Sequence, residues 1–315
     1  MEEFPWTSEC PRAIKDGAIA EACDNVKKVI AKFKKTSQSS RVSYKSRKEI
    51  QQSFFLRNDQ WAKDRRGFNV RSLGSIKFAE DLPVNLRDGR VIRYANHWYV
   101  ALPVSKLPER TENQGRLVSL DPGVRTFQTF FSDQFAGHLG QQDFQRIARL
   151  AVHLDNLLSR RDREKSKRRK SALSDAASKV RLKIDNLISE LHWKVAKFLT
   201  DNFDVILLPT FETQQMVVKT ARKLRKKSVR SLLTFSHYKF GLRLAQKCLE
   251  RGKKLVRVCE AYTSKTMSWT GRMVNIGSAK QITHEGITVD RDINGARGIF
   301  LRALVDSPIL IEGAR

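Results

Sequence analysis

The segment from Leu117 to Phe131, LVSLDPGVRTFQTFF, constrains the fold of this chain more than any other. An apolar run ends at one carboxylate, Asp121, and Pro122-Gly123 then marks a turn into a second β-prone run. The pattern predicts a strand, a tight turn and a second strand, with an acid at the end of the first. Such an acid is well placed to hold a metal ion, but an Asp before Pro-Gly also serves as an ordinary turn residue. The choice depends on acidic partners elsewhere in the chain.

The charge balance indicates the kind of partner. Sixty Lys and Arg residues against thirty-three Asp and Glu residues give the 315-residue chain a formal net charge of +27. An excess of this size indicates a polyanion, and nucleic acid is the default. A membrane is not expected as a partner, because the sequence has no apolar run of the ~18 residues that a spanning helix needs. The N-terminus, MEEFPWTSEC, is acidic and lacks the apolar core of a signal peptide, so we expect a soluble, intracellular protein.

The order of predicted elements indicates the fold class. Apolar spacing predicts a helix over residues 11–35, with lysines on its other face. Alternation over residues 42–104 predicts an antiparallel β domain, with Asp88-Gly89 as its strongest hairpin signal and residues 90–94 and 98–102 as adjacent strands. Beyond it, the order is strand, strand, long helices, strand, helix, strand. This order is typical of an α/β fold.

Two basic runs are candidate nucleic-acid contacts. The first, RRDREKSKRRK at 160–170, has Lys or Arg at eight of eleven positions, and it lies between helical stripes over residues 144–158 and 180–199. We therefore expect a long helical hairpin with a basic tip. The second run is KTARKLRKKSVR at 219–230. A charge run also occurs at solvated helix ends, but clusters of one sign repel, and phosphate is the better explanation. The candidate contacts are Lys165, Lys167, Arg168, Arg169, Arg222, Arg225, Lys226 and Lys227.

Further acids are spaced so that they can join Asp121. Asp292 lies at or near the start of the last predicted helix, where free backbone N–H groups favour an anion, and on its own it is explained as a helix cap. Glu212 also follows the predicted strand at 203–208, and Glu260 ends the predicted strand at 255–260. Two Asp and one Glu of this kind can hold two Mg²⁺ or Mn²⁺ ions for hydrolysis of a phosphodiester.

Four segments carry a resemblance to a known family: LDPGVRTF (120–127), LPTFETQQMV (208–217), EAYTSKT (260–266) and DRDINGARGIFLRAL (290–304). In order and spacing, the chain resembles the RuvC-type nucleases of the TnpB and Fanzor family, which are transposon-associated RNA-guided DNA endonucleases, and it resembles the Fanzor side more closely. The resemblance implies an RNase H-like (RuvC) nuclease domain preceded by a β wedge-like domain. The implied boundaries are a recognition-region helix at 1–40, the wedge-like domain at 41–110, the nuclease domain at 111–304 with a helical hairpin insertion at 143–200 and a degenerate zinc-ribbon loop at 267–289, and a C-terminal tail at 305–315.

The resemblance also implies roles for single residues. Asp121 is the first catalytic carboxylate and Asp292, in D-x-N-G-A, is the last. The middle family position falls on Pro209, which cannot bind metal; Glu260 and Glu212 are the alternatives, and Glu260 better fits the relocated Glu known in Fanzors. Asp290 is the spare acid. Arg297, one turn along the last helix, either reaches the scissile phosphate or faces solvent.

The implied activity is RNA-guided, metal-dependent cleavage of DNA, with two Mg²⁺ or Mn²⁺ ions as cofactors and an omega-type guide RNA and target DNA as partners. The chain departs from the family in its zinc ribbon, because the four cysteine positions hold Met267, Thr270, Ile282 and Glu285, and His284 alone cannot build a tetrahedral site. We expect no zinc there, and we expect residues 273–277 and 285–289 to pair as a small hairpin.

An alternative function keeps the fold without cleavage: a nucleic-acid-binding relic or a guide-dependent repressor. The lost zinc ligands, Pro209 and an N-terminal region shorter than is usual in the family favour this alternative, and the retained aspartates oppose it. A basic nucleic-acid-binding protein unrelated to RuvC is a third hypothesis. The expected location is the nucleus for a eukaryotic or viral protein and the cytoplasm or nucleoid for a bacterial one.

Overall fold

The computed structural model describes residues 4–43, 46, 49–61, 78–123, 126–141, 143–210, 229, 233–259, 263–274 and 279–306. The chain divides into two compact units, Met1–Ser105 and Lys106–Arg315. Among the described helices, none is both long enough and apolar enough to cross a membrane. The turns predicted near Gly67 and Gly74 lie outside the described residues.

The first unit combines one helix with a three-stranded antiparallel sheet. Its elements are α1 (Arg12–Thr36), β1 (Gln51–Leu56), β2 (Gly89–Tyr94) and β3 (His97–Ala101), in the sheet order β1-β2-β3. Leu56, Trp61 and Val91 form its small core. The predicted helix and the two predicted neighbouring strands are confirmed within a residue or two. On α1, however, Ile19, Val26, Ile30 and Phe33 are exposed.

The hairpin turn predicted at Asp88-Gly89 is wrong, because Gly89 is the first residue of β2 and the described residues 78–88 before it contain no strand. The turn between β2 and β3 lies at the other end of β2. The turn residues are Ala95 and Asn96, both with positive φ (48° and 66°), as the tightest hairpin turns require. Gly89 instead opens β2, where a Cβ atom would lie 2.8 Å from the carbonyl oxygen of Ala101. Asp88 accepts a hydrogen bond from the N–H of Asn58 at 2.8 Å. Asp88-Gly89 therefore serves close packing and not the hairpin turn.

The second unit is built on a mixed five-stranded sheet, which confirms the α/β class. Its strands are β4 (Leu117–Pro122), β5 (Gln128–Phe131), β6 (Ala136–Leu139), β7 (Val205–Pro209) and β8 (Lys254–Val258). The order is β6-β5-β4-β7-β8; β6, β5 and β4 are antiparallel, and β4, β7 and β8 are parallel. The two strands around Asp121 are observed as predicted, except that β4 includes Pro122 and β5 begins only at Gln128, later than the β-prone run that follows Gly123.

Helices cover both faces of this sheet. They are α2 (Asp143–Arg163), α3 (Lys167–Asn202), α4 (His237–Arg251) and α5 (Arg291–Asp306). Val118 and Leu120 of β4 point into the large core formed with α2, α3 and α4. Because side chains alternate along a strand, Leu117, Ser119 and Asp121 face the other side, where Leu117 packs with Ala303 of α5.

The long helical hairpin is observed, and its helices are longer than predicted. Glu164–Ser166 form the turn between α2 and α3, and the Glu164 carboxylate accepts the N–H groups of Lys165 and Ser166, each at 3.0 Å. A small hairpin precedes α5, formed by β9 (Gln281–His284) and β10 (Ile287–Asp290). The predicted pairing of residues 273–277 with 285–289 is therefore wrong for β10, while Met273 bridges to Thr266.

Candidate metal centre

Asp121 lies where the last helix approaches the sheet most closely. A Cβ atom on Gly295 of α5 would lie 2.6 Å from Asp121 Oδ2, so the missing side chain of this glycine makes room for the carboxylate. Two residues earlier on β4, the buried Ser119 hydroxyl donates to the carbonyl oxygen of Ala296 at 2.7 Å. The Asp121 carboxylate is thus held against the first turns of α5.

Asp292 is the second residue of α5. It precedes Gly295 by three residues and Ala296 by four, so it lies on the side of the helix that meets β4. Its Oδ1 accepts hydrogen bonds from Arg291 Nε at 3.3 Å and Nη2 at 3.2 Å, and its side chain is 42% exposed. The structure therefore brings Asp121 and Asp292 to the same end of the sheet.

Asp290, the spare acid of the sequence analysis, caps the helix. Its Oδ1 accepts the backbone N–H groups of Asp292 at 2.8 Å and Ile293 at 3.1 Å. These N–H groups have no carbonyl partner inside the helix, and a carboxylate at this place also complements the helix dipole. The cap role that explained Asp292 from the sequence thus belongs to Asp290.

His138 of β6 also reaches this end of the sheet, and the sequence analysis missed it. Asp121 pairs with Thr129 on β5, and Thr129 pairs with His138 on β6, so the three side chains share one face. The Thr129 hydroxyl lies 3.1 Å from His138 Nδ1, and His138 Nε2 lies 3.9 Å from Asp290 Oδ1. The only sequence signal was a short β-prone segment after the Asp121 hairpin.

A buried aromatic cluster supports the turn that follows Asp121. Phe127 is fully buried between the rings of His192 and His237, with centroids 5.1 Å and 5.2 Å away. His237 hydrogen-bonds the Gly123 backbone in that turn, and a Cβ atom on Gly123 would lie 2.5 Å from the carbonyl oxygen of Thr126. Burial lowers the pKa of both His192 and His237 to about 4, so both are neutral at pH 7.

Asn294 fastens the loop from Thr263 to Val274 onto α5. It is fully buried; its Oδ1 accepts the N–H of Ser268 at 2.8 Å and its Nδ2 donates to the carbonyl oxygen of Thr266 at 2.9 Å. Arg297 donates to the Ser268 hydroxyl at 3.2 Å, and its guanidinium carbon lies 5.9 Å from the centre of the Phe131 ring. Arg297 is therefore half-buried against protein and does not simply face solvent.

The four positions of the family's zinc ligands do not form a donor set for zinc. Met267 and Ile282 are buried apolar side chains, 2% and 6% exposed, and Thr270 and Glu285 complete the four. Zinc in structural sites is held almost entirely by thiolate and imidazole. A tight turn keeps this part of the loop in shape instead, because the Gly271 N–H donates to the Met267 carbonyl oxygen at 2.9 Å.

Both candidates for a third acid lie outside the described residues. The parallel pairing matches Ser119 with Leu207, so two residues farther along, Asp121 lies level with Pro209, which in turn pairs with Val258. Glu212 and Glu260 follow Pro209 and Val258 in the sequence, and neither is among the residues that the structure describes. Within the described ranges, no three acidic, His or Cys side chains are grouped closely enough to hold a metal ion. The described donors, carboxylate oxygens on β4 and α5, are of the kind that Mg²⁺ and Mn²⁺ prefer.

The structure describes the predicted nucleic-acid contacts of the first basic run but not those of the second. Lys165, Lys167, Arg168 and Arg169 are exposed at the tip of the helical hairpin. Arg222, Arg225, Lys226 and Lys227 lie outside the described residues. The first turn of α3 contains Lys167–Lys170 and no acid, although the positive end of the helix dipole disfavours cations there.

Comparisons with known proteins agree with the resemblance. The family described as "Cas12f1-like, TNB domain" matches residues 237–299. The chain is 29% identical to "Putative transposase A625R" of Paramecium bursaria Chlorella virus 1 over 95% of this chain and 71% of that protein. It is 27% identical to "TnpB-like protein L79" of Acanthamoeba polyphaga mimivirus over 58% of this chain and 36% of that protein. It is 24% identical to "Putative RNA-guided DNA endonuclease InsQ" of Escherichia coli K12 over 85% and 67%.

A solved structure, "Cryo-EM structure of the Cas12f1-sgRNA-target DNA complex", aligns with 68% of this chain and 45% of that chain, at 15% identity and a TM-score of 0.48. The fold and site define an α/β protein that sets acidic side chains at one end of a mixed sheet. The sequence comparisons support the resemblance to TnpB-type proteins stated from the sequence. The relatives named TnpB-like, transposase and RNA-guided endonuclease are what this chain is similar to, at 24–29% identity.

Proposed function

We propose that this chain is an RNA-guided, metal-dependent DNA endonuclease of the TnpB type, on the Fanzor side of the family, with a RuvC-like nuclease domain in its second unit. The observation that carries the proposal is the approach of Asp121 on β4 to the face of α5 that bears Asp292. A scaffold that only bound nucleic acid would have no evident use for two acids at one place among so many cations.

The site would hold Mg²⁺ or Mn²⁺ through Asp121, Asp292 and a third carboxylate from Glu260 or Glu212. When bound, a pair of such ions supplies an activated water and stabilises the leaving oxygen. The chain's own part is to fix the donors: β4 and α5 are joined by the Ser119 hydrogen bond, and the Asp121 turn is braced by Phe127.

The tip of the helical hairpin would contact the phosphates of a guide RNA or target DNA. The cations in the first turn of α3 repel one another and the helix dipole, so each costs about 0.3–1 kcal/mol at low salt. A phosphate backbone placed there would reverse the sign of that energy. The exposed residues Lys165, Lys167, Arg168 and Arg169 are thus the described residues we assign to nucleic-acid binding.

A second candidate function is nucleic-acid binding without cleavage, as a relic or a guide-dependent repressor. The observation that favours it is Pro209, whose side chain has no metal-binding atom although it lies level with Asp121 on the neighbouring strand. The two functions differ in whether a Glu from outside the described residues completes the site.

The test is cleavage of DNA by protein purified together with its RNA. The co-purified RNA is sequenced, target DNA carrying the guide match is added with Mg²⁺ or Mn²⁺, and Asp121→Ala and Asp292→Ala are each compared with wild type. We expect cleavage to fall at least about 100-fold in both, with RNA binding kept. Asp133→Ala, at an exposed acid in the β5–β6 turn, is the matched control.

Glu260→Gln and Glu212→Gln, made separately, identify the third acid as the one whose loss stops cleavage. If wild type bound RNA and DNA but cut nothing with either metal, and Asp121→Ala bound equally well, the nuclease would be rejected and the binding function retained.

A further inference from the structure

We infer that Asp290 is a positioning residue that caps α5 and holds Asp292 in place, and that it is not itself a metal ligand. This inference rests on the proposed function and deepens it, because the two acids stand two residues apart in one motif. Their surroundings in the structure differ, and from this difference we infer different roles for the two carboxylates.

The Asp290 carboxylate is committed to the protein backbone. One oxygen, Oδ1, accepts both the Asp292 and the Ile293 N–H groups, at 2.8 Å and 3.1 Å, and lies 3.9 Å from His138 Nε2. A cation bound to this oxygen would compete with N–H donors that have no other partner in the helix. Binding metal through it would uncap α5 and release the acid that follows.

The position of Asp292 depends on the cap at Asp290, because β10 leads directly into α5. Asp290 is the last residue of β10, paired with Gln281, and α5 begins at the next residue without a connecting loop. The Arg291 N–H donates to the carbonyl oxygen of Lys280 at 2.9 Å. The direction in which α5 leaves the hairpin is therefore set at Asp290, and Asp292 follows within the same turn.

Asp292 has the opposite surroundings. Its carboxylate accepts hydrogen bonds from the side chain of Arg291, which is 39% exposed and can swing away without breaking secondary structure. Asp292 also lies on the face of α5 that meets β4, next to the turn that contacts Asp121. Of the two acids, Asp292 is the one with a carboxylate that can turn to a cation.

The experiment compares Asp290→Ala, Asp290→Asn and Asp292→Asn in the full chain, with Asp306→Asn at the far end of α5 as the matched control. Asparagine caps helices as well as aspartate does, but it is a poor substitute for a metal-binding carboxylate. We therefore expect Asp290→Ala to lower the melting temperature by about 2–4 °C and cleavage roughly 10- to 100-fold. Asp290→Asn should keep the melting temperature within about 1 °C of wild type and the cleavage rate within about threefold.

Titration of the protein with Mn²⁺ alone, followed by calorimetry, gives the readout that does not depend on cleavage. Asp290→Asn should bind Mn²⁺ like wild type, and Asp292→Asn should bind it at least about tenfold more weakly. Equal weakening by the two Asn variants would show that Asp290 is a ligand and overturn the inference. So would a melting temperature of Asp290→Ala equal to that of wild type.

The failure of the proposed function is separable from this result. If wild type cut no DNA at all, the nuclease proposal would fall, while the melting temperatures of the Ala and Asn variants would still decide whether Asp290 is the cap.

Discussion

Replacing Lys253 by methionine should destabilise the second unit strongly. The Lys253 side chain is fully buried, and its Nζ donates to Asp204 Oδ1 at 2.6 Å and to the carbonyl oxygen of Thr111. The other Asp204 oxygen accepts the N–H groups of Asn113 at 2.9 Å and Gly115 at 2.8 Å. These contacts join the starts of β7 and β8 to the segment before β4, so they support the three strands on which the site is built.

The magnitude follows from the loss of one partner of a buried ion pair. Methionine fills the space of the lysine stem but leaves the Asp204 charge without its cation, which costs about 3–5 kcal/mol. Because Asp204 keeps its two N–H donors and is 22% exposed, we expect the lower half of that range. For a unit of this size, about 3–4 kcal/mol lowers the melting temperature by roughly 6–16 °C.

Urea unfolding followed by circular dichroism measures this loss, with Lys254→Met as the matched control. Lys254 is the next residue and is exposed, so its replacement should change the free energy of unfolding by less than about 0.5 kcal/mol. A loss below about 1 kcal/mol in Lys253→Met, or equal losses in the two variants, would refute the assignment of a stabilising buried pair.

Three further predictions concern other parts of the second unit. Since burial lowers the pKa of His192 and His237 to about 4, below the ordinary 6.5, their contribution to stability is complete above pH 6.5 and is lost as pH falls toward 4. Urea unfolding should therefore show about 2 kcal/mol less stability per histidine at pH 5 than at pH 7, and His237→Gln should remove about half of this difference. Asn294→Ala should cost about 1–3 kcal/mol and speed hydrogen exchange in residues 263–274, because it removes the two hydrogen bonds by which Asn294 holds half-buried backbone groups of this loop on α5; unchanged exchange would contradict that role of Asn294. Replacing all four cations of Lys167–Lys170 by Gln should weaken nucleic-acid binding and reduce its salt slope by up to about 4, yet raise the melting temperature slightly; a lower melting temperature would contradict the dipole argument.

The sequence predicted elements well where local pattern and tertiary environment agree. The Asp121 strand, the parallel strands and the helical hairpin all follow from apolar runs of ordinary length bounded by turn residues or charges. The Asp88-Gly89 turn failed for a physical reason. Asp-Gly suits a tight turn, but Gly89 lies inside the three-stranded sheet, where β2 passes so close to Ala101 that a Cβ atom would lie 2.8 Å from its carbonyl oxygen. Close packing of the strands, and not the local preference of Asp-Gly for a turn, therefore determines the conformation at Gly89.

His138 and Asn294 make contacts that no local sequence pattern could predict. His138 joins the site only because β6 pairs with β5 in a register that sets it beside Thr129, in line with Asp121. Asn294 likewise hydrogen-bonds Ser268 and Thr266, which precede it by 26 and 28 positions. Contacts of this kind depend on strand register and helix docking, which apolar periodicity does not determine.

Asp290 and Asp292 show that the sequence does not predict which of two neighbouring acids caps a helix. Both residues lie at a predicted helix start, both are acids, and either satisfies the preference for aspartate at a cap. Which one caps depends on where β10 ends, and that is set by its register with β9 across the turn at Glu285-Gly286, where both residues have positive φ. A shift of that register by one residue would exchange the faces of the strand and move the start of α5. Which of the two acids is left to bind the proposed metal is therefore decided by the β9–β10 hairpin and not by the motif that contains both. For this reason a loop that lacks zinc ligands still matters to the proposed site.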